Sequence, residues 1–402
     1  MKRCCRYTLE LTIFELVPGD RLFKLLQLCF LLQHICLDSL SPLSGSEFLQ
    51  ISDRLPELKS LVVKNCRLHF KFARDFQRML DGLQHLQVLS VTKCESFDKL
   101  EIERLPSSLR ILQLNYLDGS FDRQLRLIQT IRQNVPNINV LILDESTELA
   151  HFQIQAFQNI KVLILPFDNW DWRSNRWENV EFYPPEFLQR LTALDLGNIA
   201  IEFGILRISA MQLPRLEYLV INLIRTSNVN QLFTQIVGLP SLRSFTFEMK
   251  GNNWENLNYK HRDKQLYNSL VSLAQKGLIE KLRSLFFKGR ISKQRETWEE
   301  FDWRNFHKLL SDLKKGELPK ENGEKLQMLK IVFGDWKGEL FLSSWQLVTT
   351  THPWIECFDK PTPSHVLEEV CLRELGENAD VTTELFKFPP RVKVPEKIIN
   401  NE

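Results

Sequence analysis

Neither sign of charge prevails in this sequence: 52 basic residues stand against 50 acidic ones over 402 positions, a net charge of +2. That balance speaks against a nucleic-acid-binding chain, which ordinarily shows a large, clustered basic surplus. A dense cysteine framework is missing too. The eight cysteines are scattered, two of them adjacent (Cys4, Cys5) and most inside apolar periodic segments, unlike a secreted disulfide scaffold. No uncharged hydrophobic run is long enough for a membrane span, since the most apolar stretch, residues 22–40, contains Lys24, Gln27, Gln33 and His34. Near the start, Lys2, Arg3 and Arg6 are followed by Glu10 and Glu15, which break the apolar core a signal peptide needs. Asn-X-Ser/Thr acceptors are absent. The expectation is a cytoplasmic or nuclear protein that engages neither membrane nor nucleic acid.

Catalytic signatures are lacking as well. There is no G-x-S-x-G, no P-loop, no H-E-x-x-H and no glycine-rich dinucleotide turn, so no enzyme activity and no cofactor is expected. Asp144-Glu145 and Glu299-Glu300-x-Asp302 bring acids together, as solvated surfaces commonly do. Cys66-x-x-His69, and His352, Cys357, His365 and Cys371, lack paired metal-ligand spacing, so no metal is expected. The mixed-charge residues 281–325, with Arg290, Lys293, Arg295, Lys314 and Lys315 among many acids, read as the outer face of a helix.

What the sequence has is a repeat. Leu58-x-x-Leu61-x-Val63-x-x-Cys66 returns as Leu86-x-x-Leu89-x-Val91-x-x-Cys94. Its first six positions recur at Leu32, Leu109, Ile138, Ile160, Leu191, Leu216, Leu242, Leu282 and Leu326. Thr8/Leu11/Ile13 opens the series and Leu367/Val370/Leu372 closes it. A second mark keeps the same phase: Pro56, Pro106, Pro136, Pro214 and Pro240 each fall two or three residues before an opening apolar position, where proline ends a helix. Between the triplets lie helical patterns such as Phe72/Phe76/Met79/Leu80/Leu83 and Phe121/Leu125/Ile128/Ile131. One such unit cannot fold alone, because burying about seven apolar side chains recovers less than ordering roughly 25 residues costs. Stacked units can share a core.

This pattern resembles the leucine-rich-repeat superfamily over nearly the whole chain, and Cys66 and Cys94 at the ninth position resemble the cysteine-containing type found in F-box substrate receptors. The resemblance implies an α/β solenoid, a horseshoe of about 11–13 irregular repeats with a parallel sheet on the concave face and helices on the convex face. Cys66 and Cys94 would then be structural. The F-box itself is not found: residues 9–31 lack its Leu-Pro opening and later aromatic motif. Triplet spacing is 22 to 31 residues as far as Leu242 and 40 to 44 beyond it. The organisation expected is an N-terminal cap or degenerate repeat (1–31), more regular repeats (32–241), longer irregular ones (242–372) and a C-terminal cap or tail (373–402).

In apolar-x-x-apolar-x-apolar the strand alternates, so Leu61 and Val63 point inward while Ser60, Val62 and Lys64 point outward. Outward positions carry Val88, Ile111, Val140, Ile142, Val162 and Ile164, and later Tyr218, Val220, Phe286, Met328 and Val332. Two readings stand for the concentration at Val140, Ile142, Val162 and Ile164: an interaction site, or strands covered on both faces by something in the same chain. A stretch with Trp170, Trp172 and Trp177 follows at once. It has the composition of a binding hot spot, or else pins a long loop to the solenoid. Function therefore reads as a protein-interaction scaffold that takes a protein partner on the concave face. The resemblance implies a substrate-recognition module, with cullin-ligase components as possible partners; an inhibitor or sensor of the ribonuclease-inhibitor type is the alternative.

Overall fold

The computed structural model describes residues 10–14, 26, 29–40, 45–67, 72–92, 94, 102–114, 121–143, 157–164, 185–195, 212–223, 234–249, 282, 284–290, 328–334, 341–348, 370–371 and 373–374. Their strands form one open sheet in strict chain order. They are β1 (Glu10–Phe14), β2 (His34–Asp38), β3 (Ser60–Lys64), β4 (Val88–Thr92), β5 (Ile111–Leu114), β6 (Val140–Leu143), β7 (Val162–Ile164), β8 (Ala193–Asp195), β9 (Tyr218–Leu223), β10 (Ser244–Met249), β11 (Ser284–Arg290), β12 (Met328–Gly334) and β13 (Phe341–Val348). Each of the first eleven pairs parallel with the next. The chain is a leucine-rich-repeat solenoid.

Register follows the apolar triplets. Leu61 lies opposite Ile35 and Leu89, Leu141 opposite Leu112 and Leu163, and Phe245 opposite Leu219 and Leu285. Aliphatic side chains at these positions are almost completely buried between β2 and β10. A one-residue slip would turn every one of them to the other side of the sheet, which is why the register holds over so many strands.

The return to each strand is a tight turn. The N–H of Leu58 bonds to the carbonyl of Leu55, and Ile138 to Val135, Leu216 to Leu213 in the same way, at 3.0–3.3 Å. Pro56, Pro136 and Pro214 occupy the second position of these turns, where the ring pre-sets φ and no N–H is required. Just beyond each turn, one carbonyl accepts two N–H groups from the next rung: Lys59 O from Gln87 and Val88, Arg110 O from Asn139 and Val140, Lys161 O from Thr192 and Ala193. This ladder runs unbroken from Gln33 to Arg243, so the buried backbone of the rungs is satisfied by neighbouring rungs.

Helices fill the connections, two of them (Phe72–Gly82 and Phe121–Asn134) where the 3.6-residue pattern predicted them and two (Gly45–Arg54 and Pro185–Leu188) where no such pattern was read. They are α1 (Gly45–Arg54), α2 (Phe72–Gly82), α3 (Phe121–Asn134) and the short α4 (Pro185–Leu188). α1 and α2 pack through an edge-to-face contact of Phe48 and Phe76, with centroids 5.9 Å apart. Gly82 permits the approach, since a Cβ there would sit 2.9 Å from Ser52 Cβ. Gln77 of α2 holds the segment after it: its Oε1 accepts from the N–H groups of Glu103 and Arg104, and its Nε2 donates to Arg104 O and to Asp81.

Two features differ from the sequence reading. β13 pairs antiparallel with β12, so a hairpin ends the sheet. The expected last triplet is no rung: Val370 and Cys371 are helical and lie outside the sheet, while Leu367 and Leu372 lie outside the described residues.

Candidate functional site

Side chains that point away from the interior form two rows across the sheet. The first passes through Val88, Ile111, Val140, Val162, Ala193, Tyr218 and Ser244; the second through Ser90, Gln113, Ile142, Ile164, Asp195, Val220 and Thr246. The sequence placed Val140, Ile142, Val162, Ile164, Tyr218 and Val220 on this outer side, and the register brings all six together. All are buried. They form one apolar cluster with Val88, Ile111 and Ala193, and its remaining members are Val370 and Cys371. Val370 and Cys371 of the same chain thus lie against this strip.

The covering segment is fixed at its edge by charge. The residue that precedes each strand supplies the contacts: Asn139 before β6, Lys161 before β7, Glu217 before β9 and Arg243 before β10. Asn139 Nδ2 donates to Glu374 O at 3.3 Å, and Lys161 Nζ meets Glu374 Oε2 at 2.6 Å. Arg373 reaches Glu217 Oε1 at 2.6 Å, while Arg243 takes Glu217 Oε2 at 3.0 Å. Glu374 is only 6% exposed, yet Lys161 and Arg373 are 44% and 52% exposed. Ion pairs so open to water contribute about 0–1 kcal/mol each. Sequence reasoning missed this rim, because single polar residues at strand starts look like ordinary solvated positions. Only their pairing with acids and bases some 200 residues away gives them meaning.

Beneath the segment, burial pushes the Tyr218 phenol well above its usual range, with Asp195 and Cys371 close enough to add to it. The ring therefore stays protonated at any physiological pH.

Cys66 and Cys94 sit where the sequence placed them, at strand exits. Cys66 Sγ lies 3.2 Å from Lys64 O and 3.7 Å from Leu37 O; Cys94 Sγ lies 3.4 Å from Thr92 O and 3.6 Å from Val63 O. The hydrogen bond from Cys94 to Cys66, together with burial, raises the Cys94 thiol far above its normal value and keeps it a neutral donor. Beside them Asn65, at φ 54°, donates from Nδ2 to Asp38 Oδ1 at 2.8 Å, and Ser39, at φ 58°, donates from Oγ to the same oxygen at 3.0 Å.

Trp170, Trp172 and Trp177 lie outside the described residues, as do His69, Asp144, Glu145, the acids at 299–302, His352, Cys357 and His365. Among the described residues no group of three or more His, Cys, Asp or Glu could hold a metal, and no helix is long and apolar enough to cross a membrane.

No family model matches the chain, and no curated protein matches it. Among solved structures it is similar to an internalin (inlF) from Listeria monocytogenes strain 4b F2365, at 11% identity and a TM-score of 0.34. That likeness covers 73% of this chain and 83% of the internalin. Strand order and register establish the solenoid independently of it.

Proposed function

We propose that the chain is a protein-interaction scaffold whose outer sheet face, across β6 to β9, receives a protein partner. In role it is a substrate-recognition module similar to the leucine-rich-repeat part of an F-box ubiquitin ligase receptor. One observation supports the docking reading above all. Side chains at Val140, Ile142, Val162, Ile164, Tyr218 and Val220 are not needed to close the rungs, yet they build an apolar strip on which a helical segment is seated. Contiguous apolar surface on a scaffold that is rigid in its backbone is the usual form of a recognition site. In the sequence Trp170, Trp172 and Trp177 follow soon after β7, and side chains of this type are the aromatic anchors that dominate binding energy.

Affinity purification followed by mass spectrometry separates the roles. Cullin and its adaptor among the captured proteins support the ligase-receptor role; one dominant partner without ligase components shows an inhibitor or sensor instead. Trp170→Ala with Trp172→Ala is expected to abolish capture at an unchanged melting temperature. Loss of folding in step with loss of capture would contradict a binding role for the two rings.

A further inference from the structure

We propose that the partner this face accepts is an amphipathic helix presenting adjacent apolar side chains followed by a base and an acid. Val370, Cys371, Arg373 and Glu374 are its intramolecular counterpart, which the partner displaces. The proposal rests on the docking reading above and adds to it the chemistry of the partner and the competition in cis.

Three features separate a seated ligand from a structural cap. The first is backbone accounting. Carbonyls along the rim from Gln33 to Glu217 already receive their N–H donors from the next rung, so these carbonyls do not depend on the segment for a donor. A backbone contact from the segment to the rim joins the Asn139 side chain to the carbonyl of Glu374. The second is charge order. Asn139, Lys161 and Glu217 hold the same position in their rungs, and strands are spaced by about 4.8 Å. Lys161 and Glu217, two strands apart, therefore present a cation and an anion roughly 10 Å from each other. Glu374 goes to the cation and Arg373 to the anion, which fixes the direction in which a helix can lie. The third is accessibility. Lys161 and Arg373 are about half in water, so an incoming helix can take over the rim contacts singly before the apolar pair leaves.

Electrostatic complementarity of this kind sets orientation and selects partners more than it adds affinity. A tethered segment also competes at an effective concentration no free helix of equal contacts can match. The full chain should therefore bind weakly any free helix that merely copies the segment, and strongly once the rim is broken.

The test uses the full-length chain and a fluorescent peptide of residues 364–378. Against the unaltered chain the peptide should bind weakly. Against a chain carrying Arg373→Glu and Glu374→Lys, it should bind about tenfold tighter or more. A peptide with the same two reversals should bind that variant chain about tenfold more weakly than the native peptide does. Hydrogen exchange on the variant chain should speed up in residues 365–376 while β6 to β9 keep their protection. Equal peptide affinity for both chains overturns the competition in cis and leaves the docking reading standing. Peptide binding to neither chain overturns both, and joint loss of protection in the segment and β6 to β9 shows an inseparable cap, which overturns the proposal.

Discussion

Rungs β2 to β5 and rungs β6 to β9 share one ladder and one register, yet they finish their outer surfaces in opposite ways. In the first set the outer rows include Ser60 and Ser90, and Ser90 donates to Gln113 on the adjacent strand at 3.0 Å. Strand exits there are tied by Asp38, Asn65, Ser39, Cys66 and Cys94. Partners in this network are separated by about one repeat, 23 to 31 residues where they cross between rungs. In the second set the outer rows are mainly aliphatic and are covered by a segment 156 to 235 residues away from the rim that holds it. The strand exits of the first region are tied at the scale of a repeat, while Val88 and Ile111 on its outer side share the covered cluster with the second. The second carries surface it cannot cover locally, so its covering contacts must form after the rungs and can open before them.

The contrast breaks most sharply at neighbouring residues of β6. Leu141 points inward and Ile142 outward. Leu141→Ala should cost about 2–5 kcal/mol in urea unfolding, because it opens a cavity in the shared core. Ile142→Ala should cost less, since the cover above it can settle. Equal costs would erase the distinction between the two faces. Next in size is Gln77→Ala, expected to lose about 1–3 kcal/mol by stranding the N–H groups of Glu103 and Arg104. Gln77→Glu, which keeps the acceptor but not the donor, should restore part of that loss. Asn65→Ala is a smaller break. It removes the bond to Asp38 and puts alanine at a φ of 54°, at an expected cost of about 1–2 kcal/mol in the same assay. Smallest of all is Lys161→Ala, for which global stability should change by less than about 1 kcal/mol. Its effect should instead show as faster proteolysis near residues 370–374, and protection equal to the unaltered chain would count against a rim-held segment.

Legibility followed the range of the cause. Triplets such as Leu86/Leu89/Val91 announce their strands because burial on one side of a pleated strand leaves a period of two, and the proline at the turn repeats the phase. Parity also put Val140, Ile142, Val162, Ile164, Tyr218 and Val220 on one face, and left open whether a partner or the chain itself met them. The residues that answer this, Arg373 and Glu374, carry no local signal. Charged side chains near a terminus look alike whether they touch solvent or a rim several rungs away. Val370 misled for a physical reason. Apolar residues three apart, as at Leu367 and Val370, fit the opening of a rung and one face of a helix equally well. The antiparallel β13 escaped because no triplet marks it; a single edge strand needs only a neighbour and a turn.

Zero-length carbodiimide coupling followed by peptide mass spectrometry reaches the central claim most directly, because it joins an amine to a carboxylate only where the two already touch. Treatment of the intact chain should yield a peptide in which Lys161 is bonded to Glu374, and the Arg373→Glu chain, which keeps that carboxylate but sets an acid against Glu217, should yield less of it. If Lys161 of the unaltered chain couples to other acids and never to Glu374, the outer face of β6 to β9 is not held by the C-terminal segment and the account fails.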